Sequence, residues 1–371
     1  MKKKLLTIVT WKGGENFGTC LQGYALQEKL IALGYHVYLL PDVPHSKGIK
    51  SWIQWVMSCL GLMQFRIWIK RKHDFQTNKR MRWENKAYRT LTLWTQWQVN
   101  RLIKKTDCFI TGSDQIWNTY HHFMPMQFLD FAGDKKRIAY ASSIGTNDIK
   151  AEYREQVAKW WKKFAQIGVR EQRAVEIVQE MTGRTDVRQV LDPTLLMTAD
   201  EWRQLAADAY YEVLLPKKYI FCYLVGANVR YAEQLRDVQQ KLGIKDIVIV
   251  PACENPDFSI EGATVYRMAT AVEFVDLLSR AEFVCTDSFH ATAFCLNLQK
   301  PFVEFMRFKD DDVRSQNSRI HDILGRYGLE NRIYVGGRLD WTKPIDFDKA
   351  ARKLEDDRQM SLKFLIDSIE S

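Results

Sequence analysis

His290 stands in the stretch FVCTDSFHATAF, where a hydrophobic run stops at Asp287 and small helix-forming residues resume at Ala291. The break predicts a strand-to-helix corner in which Asp287 and Ser288 cap the helix, while Phe289 and His290 face a cleft. Histidine titrates near neutral pH and suits general acid or base catalysis. A lone histidine is more often structural, so packing remains the alternative here.

Arg170 ends an apolar strand in GVREQ, where a guanidinium can hold a phosphate or carboxylate through two hydrogen bonds. Pairing with Glu171 or Glu176 on the surface is the alternative. In LDPTLL, Asp192 turns the chain and could hold Arg170.

Further cations follow a later strand in EFMRFKDDDVRSQNSRIHDIL, namely Arg307, Lys309, Arg314 and Arg319. They predict either a mobile loop of mixed charge or a second anion grip beside His290.

Two polar loops occur in the first part of the chain, KGGENFGTCLQ and ITGSDQIWN. Neither matches GxGxxG or GxxxxGK[ST], so a dinucleotide fold and a P-loop are not supported. Tight turns and helix capping explain part of them; small, amide and aromatic residues also suit a sugar. The candidate acceptor or cleft-lining residues are Asn16, Gly18, Thr19, Ser113, Asp114, Gln115, Trp117 and Asn118.

The elements that must position these residues alternate between strand and helix along most of the chain. A βαβ unit opens the sequence, and a fresh series of strands and helices begins after LLPKK (214–218). The pattern predicts an α/β protein with two similar domains facing each other across a cleft. We place the first domain at 1–205, the second at 206–340 and a helical tail at 341–371.

A basic segment interrupts the first domain. Residues 48–105 show helical periodicity, and 50–105 hold 13 lysines and arginines against two acidic residues, with six of the 12 tryptophans. Such a helical insertion could lie on an anionic membrane surface or pack as a cap. No nucleic-acid-binding motif accompanies it, so no nucleic-acid partner is expected.

Other features restrict location and metal content. The seven cysteines form no CxxC pair, and no cluster has metal-ligand spacing, so no metal site is expected. The first apolar run is too short for a signal peptide and no run suits a membrane span. We expect a cytoplasmic protein that could also be peripheral on the inner membrane face.

Taken together, the motifs resemble the polysaccharide pyruvyl transferase family. They are NFGTCLQGYAL, GSDQIWN, GVRE, VLDPTLL and TDSFHATAF, followed by KPFVEF and SRIHDIL. They occur in the same order as in the family over roughly residues 5–330. Each motif alone is weak evidence for the family, but the set together is specific.

The resemblance implies two Rossmann-like domains in a GT-B-like arrangement and a transferase that uses phosphoenolpyruvate as donor and no cofactor. By position, His290 matches the family's active-site histidine and Arg170 an arginine that holds the donor. Some members have Arg-Leu-His where this chain has Ser288-Phe289-His290. We therefore expect Arg307, Arg314 or Arg319 to supply the missing donor contact. We assign Ser288 and Phe289 to donor binding, and Asp287 with His290 to catalysis.

The resemblance also implies the acceptor, a saccharide of a surface polysaccharide such as a capsule or exopolysaccharide, which could be lipid-linked. Two alternatives remain from the residues: a GT-B glycosyltransferase that uses a nucleotide sugar, and a non-catalytic scaffold on a membrane surface.

Overall fold

The computed structural model describes residues 3–12, 16–43, 75–121, 123–308 and 315–371. The first of its two parallel sheets has the order β2-β1-β3-β4-β5-β6. Its strands are β1 (Leu5–Val9), β2 (His36–Leu39), β3 (Cys108–Thr111), β4 (Lys136–Ser142), β5 (Gln166–Val169) and β6 (Arg188–Gln189).

The second sheet has the order β11-β10-β7-β8-β9 and is also parallel. Every residue of its central strands β7 and β10 is buried, as expected for strands covered on both faces. The strands are β7 (Tyr219–Tyr223), β8 (Asp246–Ile249), β9 (Thr264–Val265), β10 (Phe283–Thr286) and β11 (Phe302–Glu304). The two parallel sheets confirm the predicted α/β class.

Helices connect and cover the strands. Those before β7 are α1 (Phe17–Ala32), α2 (Phe75–Ala87), α3 (Gln96–Lys105), α4 (Arg154–Trp161), α5 (Gln172–Thr182), α6 (Pro193–Leu196) and α7 (Ala199–Ala206). Those after β7 are α8 (Tyr231–Leu242), α9 (Ala271–Arg280), α10 (Phe289–Asn297), α11 (Ser318–Tyr327) and α12 (Phe347–Glu370). Among the described helices, none combines the length and apolar character needed to cross a membrane.

The predicted basic insertion is only partly covered. Residues 48–74 lie outside the described residues, and the remainder contains the predicted helical structure, as α2 and α3. Lys79 of α2 contacts Glu212 and Glu273, both at 3.0 Å, and so ties this helix to the second domain.

The chain leaves the first sheet after Gln189 and enters the second at Tyr219. The last helix, α12, returns to the first domain: Lys4 Nζ donates to the carbonyl of Ile369 at 3.0 Å. The predicted helical tail is therefore packed against the first domain.

Each sheet has one point where the strand order reverses, between β1 and β3 in the first and between β7 and β10 in the second. In open α/β sheets, ligands bind beyond the carboxyl ends of the strands at such a point. The loops that leave β1, β3 and β10 carry the motifs around Asn16, Asp114 and His290, whereas Arg170 follows β5 and Arg307 follows β11.

Candidate active site

The two reversal points face each other, and a cavity of about 330 Å³ lies between them. We call it the central cavity. Both domains contribute to its wall, and nine of the predicted site residues line it: Asn16, Asp114, Gln115, Asn118, Ser288, Phe289, His290, Arg307 and Arg319. Seven further lining residues were not predicted from the sequence: Tyr120, His121, Thr146, Val225, Glu254, Phe308 and Gln316. Several of them follow strand ends or the GSDQIWN motif directly, which is the signal that could have identified them.

His290 is the second residue of α10, which begins at Phe289. The helix was predicted to start near Ala291 with Asp287 and Ser288 as its caps, but it starts two residues earlier. Ser288 occupies the N-cap position without a side-chain hydrogen bond, and the Asp287 side chain points elsewhere. The helix starts earlier than predicted and carries the imidazole on its first turn, at the cavity wall.

Gly18 of the first domain lies against this imidazole. A Cβ atom at Gly18 would be 2.1 Å from His290 Nδ1, so only glycine fits. The neighbouring side chains organise the same loop: Asn16 caps α1 by accepting from the backbone of Gly18 at 3.0 Å, and Thr19 donates to Asp114 at 2.6 Å.

Asp114 reaches the cavity from an unusual backbone. Its φ is 67°, and Gly112 two residues earlier has φ 125°, with no room for a Cβ beside the carbonyl of Tyr140. Burial alone would raise the pKa of Asp114, but the positive charges of His290 and Arg170 hold it below its usual value. Asp114 is thus an anion at the cavity wall.

Asp192 lies behind His290 and comes from the first domain. Its Oδ2 is 3.5 Å from His290 Nε2, 2.9 Å from Arg170 Nη1 and 2.9 Å from Ser113 Oγ. Thr194 donates to its Oδ1 at 2.9 Å. Burial would raise the pKa of Asp192, but these charges and hydrogen bonds lower it, so the carboxylate is ionised. His290 Nε2 is buried and has no hydrogen-bond partner within the described chain, so Asp192 is an available charged partner for it.

Asp287 was predicted to be catalytic, and the structure corrects this. Its carboxylate accepts from the backbone of Val225 (2.6 Å) and Gly226 (2.7 Å) and from Tyr231 Oη (2.7 Å), and it does not line the cavity. Arg307 Nε donates to the same carboxylate at 3.2 Å. Because its carboxylate oxygens already accept these hydrogen bonds, Asp287 holds Arg307 in place and does not take part in proton transfer.

Arg319 is the buried cation of the cavity. It is 6% exposed and forms no ion pair within the part of the chain that the structure describes. It donates to Gln316 at 2.5 Å, and with the Gln115 amide oxygen turned towards it, Gln115 accepts at 3.1 Å. Burial lowers the pKa of Arg319 to about 9, and the charge of Arg170 adds to the effect.

Five other predicted residues do not line the cavity, namely Gly18, Thr19, Ser113, Trp117 and Arg170. Lys309 and Arg314 lie outside the described residues. Trp117, expected to line the cleft, is fully buried in the first domain, where its ring stacks on Phe128 and its indole donates to Gln127. Arg170, expected to contact the donor, lies behind the wall with its guanidinium 4.2 Å from the Phe289 ring centre. Trp117 packs into a continuous apolar cluster, and Arg170 forms an ion pair with the buried Asp192.

The arrangement places arginines beside an imidazole, opposite a wall of amides and one carboxylate. Such a cavity can bind an anionic ligand and can move a proton next to it. Among the described residues no group of three His, Cys, Asp or Glu side chains could hold a metal ion.

The family model for polysaccharide pyruvyl transferase matches residues 16–306 of the chain. Searching the curated proteins gave no match. Among solved structures, UDP-GlcNAc 2-epimerase from Methanocaldococcus jannaschii is similar with TM-score 0.51 and 11% identity, over 95% of this chain and 92% of that one. The corresponding enzyme from Neisseria meningitidis, solved with UDP-GlcNAc, has TM-score 0.50 and 11% identity, over 98% and 100%. At such identity the likeness shows the fold alone, which is GT-B-like as predicted.

Proposed function

Because the chain belongs to the polysaccharide pyruvyl transferase family and is therefore a transferase, we propose that it moves the pyruvate group of phosphoenolpyruvate to two hydroxyls of a sugar. The product is a ketal on a surface polysaccharide or its precursor, and phosphate is released. No cofactor takes part in the proposed reaction.

Arg319 is the observation that carries the proposal. A buried cation without a protein anion is unfavourable, and a bound anion in the cavity would relieve the cost. Arg307 adds a second guanidinium: its Nε pairs with Asp287 at 3.2 Å, but its Nη1 makes no hydrogen bond to any described residue and can donate to a ligand. Phosphoenolpyruvate carries a phosphate and a carboxylate, which two guanidinium groups could hold separately.

His290 supplies the proton chemistry in this proposal. It protonates the methylene carbon of the donor, and a sugar hydroxyl attacks the adjacent carbon. The C–O bond to phosphate then breaks and the second hydroxyl closes the ring. Of the two protons that the hydroxyls lose, one restores His290 and the other leaves with phosphate. Asp192 orients the ring and balances its positive charge, as the carboxylate does in other histidine sites.

The acceptor sugar would lie on the first-domain side of the cavity. Asn16, Gln115 and Asn118 offer amide groups there and Asp114 a carboxylate. Such a set matches the donors and acceptors of neutral sugar hydroxyls.

Calorimetric titration with phosphoenolpyruvate tests the donor assignment, with UDP as the competing probe. We expect phosphoenolpyruvate to bind the native protein and His290→Gln alike, and to lose affinity in Arg319→Met. Neutral oligosaccharides should then release phosphate from the donor with the native protein but not with His290→Gln. Binding of UDP without binding of phosphoenolpyruvate would instead favour glycosyl transfer.

For the location of the enzyme, we propose peripheral attachment to an anionic membrane surface, where a lipid-linked acceptor would be found. The described part of the basic segment supports this: Trp97 is 65% exposed and Arg101 stacks on it at 5.4 Å. Arg101→Glu should weaken binding to vesicles that contain phosphatidylserine. Unchanged sedimentation with these vesicles would count against the attachment.

A further inference from the structure

A second depression lies beside the central cavity, entirely within the second domain. It has a volume of about 810 Å³, and we call it the side groove. Val225, Glu254, Arg307 and Phe308 line both spaces, so the two adjoin. A ligand in the central cavity therefore lies within reach of the side groove.

The floor of the side groove is the loop between β7 and α8, at the reversal point of the second sheet. Gly226 permits the packing of this loop, because a Cβ there would be 2.5 Å from Arg307 Cγ. Asn255 further fixes it by donating to the Gly226 carbonyl at 2.7 Å. The loop conformation is therefore fixed, and it provides a rigid surface for ligand binding.

Several polar groups of the side groove have no hydrogen bond to a described residue. Asn228 uses its side-chain oxygen to accept from the Arg230 backbone at 3.0 Å. Its amide nitrogen, the Arg230 guanidinium and the Glu254 carboxylate have no hydrogen bond to any residue that the structure describes. Phe308 adds an aromatic face whose backbone is fixed, since Asn317 donates to its carbonyl at 2.8 Å.

The charges in the side groove balance. Arg230 is matched by Glu254, and Arg307 by its ion pair with Asp287. The central cavity differs, because it contains Arg319, which has no ion pair with any described residue. No excess cation is left in the side groove for a diphosphate, whereas an amide, a guanidinium, a carboxylate and an aromatic ring suit the hydroxyls and apolar faces of a neutral sugar.

We propose that the side groove binds the sugar next to the one that receives pyruvate, so that the acceptor is an oligosaccharide of at least two residues. This inference rests on the proposed function, since it takes the central cavity as the site of donor and reacting sugar. The acceptor would reach the donor across Arg307 and Phe308.

Filling the groove tests the inference. Ala227 is exposed on the groove wall, and Ala227→Trp would occupy the space with little effect on the core. The matched control is Leu214→Trp, at a residue that is 99% exposed and outside the groove. The probes are phosphoenolpyruvate, UDP and neutral mono-, di- and trisaccharides of glucose, galactose, mannose and N-acetylglucosamine, with affinities measured in the presence of phosphoenolpyruvate.

In at least one series we expect the disaccharide to bind the native protein and Leu214→Trp about ten-fold or more tighter than the monosaccharide. Ala227→Trp should remove that gain and leave phosphoenolpyruvate affinity unchanged. No gain with length in any series, a gain that survives Ala227→Trp, or UDP binding that Ala227→Trp abolishes would overturn the inference. Failure of phosphoenolpyruvate to bind the native protein would instead reject the proposed function.

Discussion

Two buried arginines lie next to the same cavity, and removing their charges should change the free energy of unfolding in opposite directions. Arg170 is paired with Asp192 at 2.9 Å and with Glu171 at 3.5 Å. Arg319 has no carboxylate partner within the described residues. We therefore expect Arg170→Met to destabilise the free protein and Arg319→Met to stabilise it.

The magnitudes follow from the surroundings. Removing Arg170 leaves two carboxylates without their cation, which costs about 3–5 kcal/mol of the free energy of unfolding. For Arg319, the fall of the pKa from 12.5 to about 9 corresponds to roughly 5 kcal/mol against the charged form. The unfolded chain binds this proton more tightly, so the cost is present at every pH below about 9. After subtracting lost hydrogen bonds and packing, we expect a gain of about 1–3 kcal/mol for Arg319→Met.

Thermal unfolding near neutral pH in phosphate-free buffer measures both effects, since one kcal/mol moves Tm by roughly 2–4 °C in domains of this size. Phosphoenolpyruvate at 100 times its Kd should add about 2.7 kcal/mol to the native protein and nothing to Arg319→Met. The reasoning is refuted if both variants lose stability to a similar extent in the free state. It is also refuted if Arg319→Met keeps its response to phosphoenolpyruvate.

Three further substitutions test the positioning of His290 and one buried acid. Asp192→Asn should keep the affinity for phosphoenolpyruvate but lower kcat by about 10²–10⁴-fold and shift the pH profile of turnover; an unchanged profile would argue against the pairing with His290. Gly18→Ala should abolish turnover, whereas Gly23→Ala, on the same helix with its nearest contact at 3.4 Å, should retain it; equal activity would contradict the close approach. Burial raises the pKa of Glu304 well above its ordinary value, so the folded protein binds the extra proton and its stability falls as pH rises above the unfolded pKa. Glu304→Gln should flatten that decline in Tm, and an identical slope in both proteins would disprove the assignment.

The motif loops and every strand except the two-residue β9 could be predicted from the sequence, because buried parallel strands are continuous apolar runs that end at polar residues. His290 was placed at the cleft for this reason. Trp117 was misplaced because most residues of GSDQIWN are polar, while the aromatic residues that surround it, such as Phe128 and Trp161, are distant in sequence. Local composition does not reveal which side of a loop meets the core.

The roles of the charged residues were harder to predict because they depend on partners from other elements. Asp287 follows a strand, as a catalytic residue would, yet the β7 loop supplies two N–H groups that saturate it. Arg170 follows a strand in the same way, but Asp192 holds it behind the wall. Pairing between residues of different elements is a property of the fold, and it separates Arg319 from Arg170 and Arg307, which both have carboxylate partners.

The contacts between α6 and α10 explain how residues of two domains meet in one site. Asp192 caps the N-terminus of α6, and His290 lies on the first turn of α10. At the far end of α10, the Asn297 amide donates to the carbonyls of Thr194 at 3.2 Å and Met197 at 2.7 Å, both buried. Arg358 of α12 donates to the Leu195 carbonyl at 2.9 Å and so holds the same helix from the other side. The helix pair that joins the domains therefore also sets the distance between Asp192 and His290, because any sliding of α10 along α6 would have to break these buried hydrogen bonds.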